Sequence, residues 1–349
     1  MKKILPIILS ILLAAILILS GCSEPEYTTV TDTQTITSTV PVTITETITT
    51  TTTETMFINQ INWKWIKPIP QSNTLFGVWG SSSTDVYAVG VAGTILHYDG
   101  TSWSLMDSGT ENDLLAVWGT SASDVYIVGN NGIILYYNGS NWATIHSETE
   151  IMFSAAWVFS PSDIFATCMN GKIYHYDGNS WQISWDPGIA TISWDMKNLY
   201  DIWGSSSADV YAVGRNWNSG LIMHYNGNEW SIVIDRQADY PVLKCIWGSS
   251  SSDIYTAGNI DTFLYYDGNE WSTMTGIVYK NPGLSAIWGS SPSDIYAVGT
   301  RGVIIHYDGS SWNEMDSGTE NDLLAVWGSS ANDIYIAGAD GTILHYDGN

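Results

Sequence analysis

The chain has 349 residues, with 35 acidic and 11 basic side chains and a formal net charge of −24. From residue 57 onward nine basic and 30 acidic residues remain, so the charge belongs to the body of the protein. That balance excludes nucleic acid and anionic lipid as natural ligands, because such binding runs on counterion release by Lys and Arg.

Residues 1–22 read as a targeting segment. Lys2 and Lys3 precede an apolar run over 4–19, which is short and N-terminal, as in an export signal and unlike a permanent membrane span. Leu19-Ser20-Gly21-Cys22 resembles the bacterial lipobox. The resemblance implies cleavage before Cys22, lipidation of its thiol, and a place in the cell envelope outside the cytoplasm, anchored to a membrane by lipid alone.

Residues 23–56 hold a Thr-rich tract with no basic residue and no Gly. Such a composition does not bury enough surface to offset chain entropy, and it predicts an extended stalk. About 28 extended residues span up to about 90 Å. The alternation of Thr with Val and Ile also has strand propensity, so a sheet-forming stalk is the alternative.

Residues 57–349 are repetitive. A Trp in a VWG or IWG context recurs at Trp79, Trp118, Trp157, Trp203, Trp247, Trp288 and Trp327, with spacings of 39, 39, 46, 44, 41 and 39. A period near 40 with four short apolar runs per unit predicts an all-β, seven-bladed β-propeller. Strand a is LLAVWG, strand b DVYAVG, strand c GTILHYDG, and strand d starts at the Trp of TSW or SNW. Each run is apolar at nearly every position, as expected of blades packed on both faces. The seventh repeat lacks its strand d. Residues 61–67 (INWKWIK) precede the first repeat and predict the missing strand, closing the ring with no open edge.

Most recurring residues read as scaffold. Twelve of the acids stand at repeat positions, seven before VY, IY or IF pairs and five in YDG. Five of six histidines, His97, His175, His224, His306 and His345, share one strand-c position that is Tyr136 and Tyr265 in the second and fifth repeats. A position that tolerates a phenol predicts a hydrogen bond inside the blade and no metal or catalytic ring. Cys168 and Cys245 stand at different places in non-adjacent repeats, which argues against a disulfide. P-loop, HExxH, GxSxG, CxxC and EF-hand strings are missing from the sequence, and no cofactor or metal is expected.

The string AVG-x-x-GTILHYDG-x-x-W resembles the repeats of sialidase-type (Asp-box) and photosystem II assembly factor-like propellers, and is similar to kelch repeats in its YDG and Trp. The resemblance covers about 290 residues and implies propeller architecture. The Asp-box pattern has a residue between Asp and Gly, whereas Asp99 and Gly100 are adjacent. Kelch repeats carry a Gly pair where this chain has only Gly90. No functional residue carries over from either.

Function is therefore sought where the repeats differ. All insertions fall in b–c and d–a loops, which share one face. The loops at 183–200, 215–219, 236–241 and 276–282 carry Trp185, Asp186, Trp194, Arg215, Asn216, Trp217, Asn218, Tyr240, Tyr279 and Lys280, with Arg301 nearby. These eleven residues form the candidate ligand site, an aromatic and cationic arc over blades 3–6. The rest of that face is acidic, through the loop MDSGTEND at 106–113 and again at 315–322. Exposed Trp beside Asn, Asp and Arg suits a carbohydrate or a protein hot spot. The expected protein is a monomeric, non-catalytic binding propeller. The alternatives are a glycoside hydrolase or lyase using Asp186 and Asp195, which needs two carboxylates about 5–10 Å apart, and an acidic adhesion or assembly scaffold, with calcium as a possible ligand.

Overall fold

The computed structural model describes residues 30–39, 45–54, 63–66, 72–146, 151–188, 197–235, 241–259, 262–274 and 283–348. The targeting segment, Trp194, Asp195, Tyr240, Tyr279 and Lys280 lie outside them. The chain divides into two units, Met1–Asn59 and Gln60–Asn349. In the first, Val30–Thr39 and Thr45–Glu54 pair as an antiparallel ladder, Val30 opposite Glu54 and Thr39 opposite Thr45. The Thr-rich tract is thus extended residue by residue but doubles back. Ten residues at about 3.4 Å each give it a reach of about 34 Å.

The second unit is a ring of seven four-stranded antiparallel sheets, each in the order a-b-c-d. Blades 1–6 span 75–106, 114–146, 153–185, 197–234, 243–273 and 284–315. Blade 7 takes its strands a–c from 323–346 and its outermost strand from Trp63–Ile66, which runs antiparallel to Ile343–Tyr346. Trp63 is buried there, its ring 5.5 Å from Tyr346 and 6.2 Å from Tyr296 of blade 6. The N-terminal strand therefore closes the ring.

One aromatic pair recurs at the interface between blades. The strand-b aromatic of one blade meets the strand-d Trp of the next edge to face: Tyr87 and Trp142 at 6.0 Å, Phe165 and Trp230 at 6.1 Å, Tyr335 and Trp103 at 6.2 Å. This geometry suits the ring quadrupoles and explains why both positions are nearly always aromatic.

Within a blade, the strand-b Asp links three elements. Asp85 accepts from Ser81 Oγ of the a–b turn at 2.5 Å and contacts His97 Nε2 of strand c at 2.7 Å. The same 2.7 Å contact joins Asp163 to His175, Asp209 to His224, Asp294 to His306 and Asp333 to His345. Each imidazole also stacks on the strand-b aromatic, 4.5 Å for Tyr87 and His97 and 4.1 Å for Phe165 and His175. In blades 2 and 5 a phenol replaces the imidazole: Tyr136 bonds Asp124 and Tyr265 bonds Asp253, their pKa values raised by burial first and then by those carboxylates. In blade 1 the carboxylate stands between hydroxyl and imidazole. The ring does not touch the hydroxyl, so it cannot serve as its base, and the trio fastens strands.

Candidate functional site

The two faces of the ring are set by local turns. On one, each c–d turn sits against an a–b turn, as Gly100 does against Thr84. On the other, the b–c turns meet the d–a loops. Gly93 N–H donates to Asn112 O at 2.9 Å, and Ala92 N–H to Asp113 Oδ1 at 2.9 Å. Arg301 N–H donates to Asp322 Oδ1 in the same way. Ala92 and Arg301 have φ of 52° and 55°, and the Asp of the repeated MDSGTEND loop holds each turn in that left-handed conformation. Part of the acidic arc is therefore structural. Arg301 is exposed, but its backbone belongs to a turn that most blades share.

Blade 4 departs from the others on this face. Its strands Lys197–Ser206, Asp209–Asn216 and Ser219–Tyr225 have ten, eight and seven residues, against eight, six and four in blade 1. The pair Asn216 and Ser219 leaves Trp217 and Asn218 as a two-residue turn. Trp217 takes φ 61°, which disfavours a bulky residue, and its ring is 55% exposed. Asn218 is exposed beside it. Below them Arg215 Nε donates to Asn198 Oδ1 at 3.0 Å, and Asn198 Nδ2 donates to Met169 O of blade 3. Asn216 is buried and donates to Asp235 Oδ1 at 2.6 Å. Arg215, Asn216, Trp217 and Asn218 are thus brought together on one rigid hairpin.

Two further candidate residues belong to blade 3. Trp185 ends strand d of blade 3 and packs half-buried against the blade 3–4 core. Asp186 is exposed, accepts from Gly188 N–H at 2.9 Å and pairs with Lys172 at 3.3 Å. Those partners, the backbone N–H first, lower its pKa.

Sequence reasoning missed a second feature, the central channel of about 490 Å³ lined by all seven a strands. Counted from the Leu or Phe that opens the repeat's strand a (Leu199 in blade 4, whose strand starts two residues earlier), each a strand has a register shift around its second residue, which stands unpaired in the ladder. Bulges of this kind re-aim a side chain. The seven are Phe76, Leu115, Ser154, Tyr200, Lys244, Ser285 and Leu324, all half-buried along the channel. They make an apolar wall in blades 7, 1 and 2 and a polar wall in blades 3–6. The third residue is Gly or Ala in five blades, Cys245 in blade 5 and Asp201 in blade 4.

Asp201 lines the channel and is half-buried. Its Oδ1 accepts from Ile202 N–H and its Oδ2 from Ile246 N–H of blade 5, both at 2.9 Å. Burial outweighs these two donors and lifts its pKa to about 7. Burial and then the Asp201 charge push the Cys245 thiol far up, which makes it a poor nucleophile. Cys168 and Cys245 are both buried. The signal for this site was available in the sequence as departures from the period inside strand a, the most regular run of the repeat.

No family model matches the sequence, and no curated protein does. Solved structures do match. One described as YCF48 bound to D1 peptide has a TM-score of 0.65 at 16% identity, covering 82% of this chain and 96% of its own. YCF48 from Cyanidioschyzon merolae gives 0.65 at 14%, covering 81% and 98%. The WD40 β-propeller domain of Doa1 gives 0.63 at 11%, covering 81% and 94%. At these identities the likeness establishes the fold: the chain is a seven-bladed β-propeller.

Proposed function

We propose that the protein is a non-catalytic binding propeller, held at the outer side of a bacterial membrane through lipidated Cys22, that captures a segment of an envelope protein on the loop face of blades 3–6. The observation that carries this reading is Trp217. A bulky ring held exposed at positive φ, on a hairpin longer than its counterpart in blade 1, is backbone strain kept at an exposed tip. Trp and Arg are the residues that most often anchor protein interfaces. That the similar YCF48 structure holds a peptide lends support to a protein ligand over a carbohydrate.

A photo-cross-linking residue placed at Trp217, and in a second strain at Thr84 on the opposite face, tests this on intact cells. Discrete adducts from position 217 alone support the reading. Adducts of equal yield from both positions reject the loop face. No protein adduct, with retention on envelope polysaccharide that Trp217→Ala abolishes, replaces the protein ligand by a sugar.

A further inference from the structure

The channel wall has chemistry of its own, separate from the loop face. Each a strand is the inner edge of its sheet, so every other backbone N–H and C=O turns away from the ladder. In blades 4 and 5 the fourth residue of strand a, Ile202 and Ile246, gives its N–H to Asp201 across the channel wall. In the remaining blades the fourth residue sits in the same register: Val78 opposite Ala88, Val117 opposite Ile127, Ala156 opposite Ala166, Ile287 opposite Ala297 and Val326 opposite Ile336. The same register turns these five N–H groups away from strand b and toward the third residue of the preceding blade, as Val117 N lies 3.2 Å from the side-chain position of Gly77. In blades 4 and 5 the chain itself has placed a carboxylate, Asp201, on these donors at the channel wall.

Charge and shape agree with the donor pattern. In a chain of net charge −24, the second residue of the blade 5 a strand is a lysine. Lys244 is half-buried in the channel and forms no ion pair among the described residues. Opposite this polar wall stand Phe76, Leu115 and Leu324. A volume of about 490 Å³ lies within the range of small-ligand sites.

We propose that the channel is a binding site for a carboxylate carried on an apolar group, with its oxygens on Lys244 Nζ and its apolar part against Phe76, Leu115 and Leu324. A free short-chain acid and the C-terminal residue of a peptide present the same chemistry. Asp201 limits the site, since it adds a like charge. This site goes beyond the loop-face reading and does not depend on Trp217.

Calorimetric titration of the full chain with hexanoate, hexanamide, and a tripeptide ending in Leu as free acid or amide tests it. Hexanoate binds and hexanamide binds at least about ten-fold more weakly, as loss of a charge-assisted contact requires. Lys244→Met weakens hexanoate by about the same factor with an unchanged melting temperature, and Asp201→Ala, which removes a like charge from the wall, tightens it. Trp217→Ala leaves it unaltered. Tighter binding of the peptide acid than of hexanoate assigns the site to a chain terminus, and the reverse assigns it to a free acid. Equal affinity for hexanoate and hexanamide, no binding of any acid, or hexanoate affinity untouched by both Lys244→Met and Asp201→Ala overturns the proposal.

Discussion

Trp327 lies over Gly80, so that a methyl group on Gly80 would come 2.7 Å from its ring. The contact passes from the last blade to the first. It recurs as Trp79 over Gly119, Trp203 over Gly248, Trp247 over Gly289 and Trp288 over Gly328. The second letter of the WG pair is therefore glycine because the preceding blade's indole occupies the space of its side chain. Blade 3 breaks the series with Val158, and Gly204 receives Phe159 instead.

Gly80→Ala should destabilise the propeller by about 1–3 kcal/mol, since the new methyl meets both the indole and Asp85 O at 2.7 Å. Adding Trp327→Leu to it should restore part of that loss, because the two sites share the same space. Urea midpoints of the single and double variants read the coupling. Strict additivity would show that the indole is not what excludes a side chain at Gly80.

The N-terminal strand should be essential for closure. Trp63 is buried against Tyr296 and Tyr346, and Trp63→Ala should lose about 3–5 kcal/mol. Deleting 57–68 leaves the edge of Ile343–Tyr346 open and should produce aggregation or loss of cooperative unfolding. Lys64→Ala removes only an exposed ion pair with Asp347 and should change stability by less than about 1 kcal/mol. A deletion variant that unfolds cooperatively at the parent midpoint defeats the closure account.

The ring, its blade number and its closing strand were legible because a propeller writes each strand seven times, and a missing strand then shows as a gap in the count. The role of the histidines was legible for the same reason: Tyr136 and Tyr265 showed that the position needs a group able to hydrogen-bond within the blade. The channel was not legible in that way. Its wall is built from the second and third residues of strand a, and a bulge redirects the second. Period-2 reasoning places both residues in the sheet but does not foresee the bulge that turns Lys244 inward. The longer loops were legible in the sequence but the burial of their aromatics was not, for Trp185 and Trp217 are alike in sequence, yet one is half-buried and the other exposed.

Stability should depend on pH through Asp201, which Tyr200, Lys244 and Cys245 adjoin. Its folded pKa is raised from 3.8 to about 7. Between those values the folded chain holds a proton that the unfolded chain releases. The associated stability is complete below about pH 4, declines as pH rises toward 7 and is gone above it, a change on the order of a few kcal/mol. Alanine stands at this position in four other blades, so Asp201→Ala is sterically tolerated. Urea midpoints at pH 5 and pH 8 should draw together in that variant, and a wild-type slope retained in it excludes Asp201 as the source.

The tip of the blade 4 hairpin should show opposed effects on stability and binding. At φ 61° a Trp is strained, whereas Asn enters the left-handed region readily. Trp217→Asn should therefore be more stable than Trp217→Ala by about 0.5–1 kcal/mol, although both remove the same exposed ring. Both should lose the cross-linked partner equally, because the ring makes the contact and the backbone only presents it. Thermal melts paired with adduct yield from a neighbouring cross-linker at Asn218 separate the two quantities. Retained adducts in either variant would move the interface away from Trp217 and leave its strain without a function.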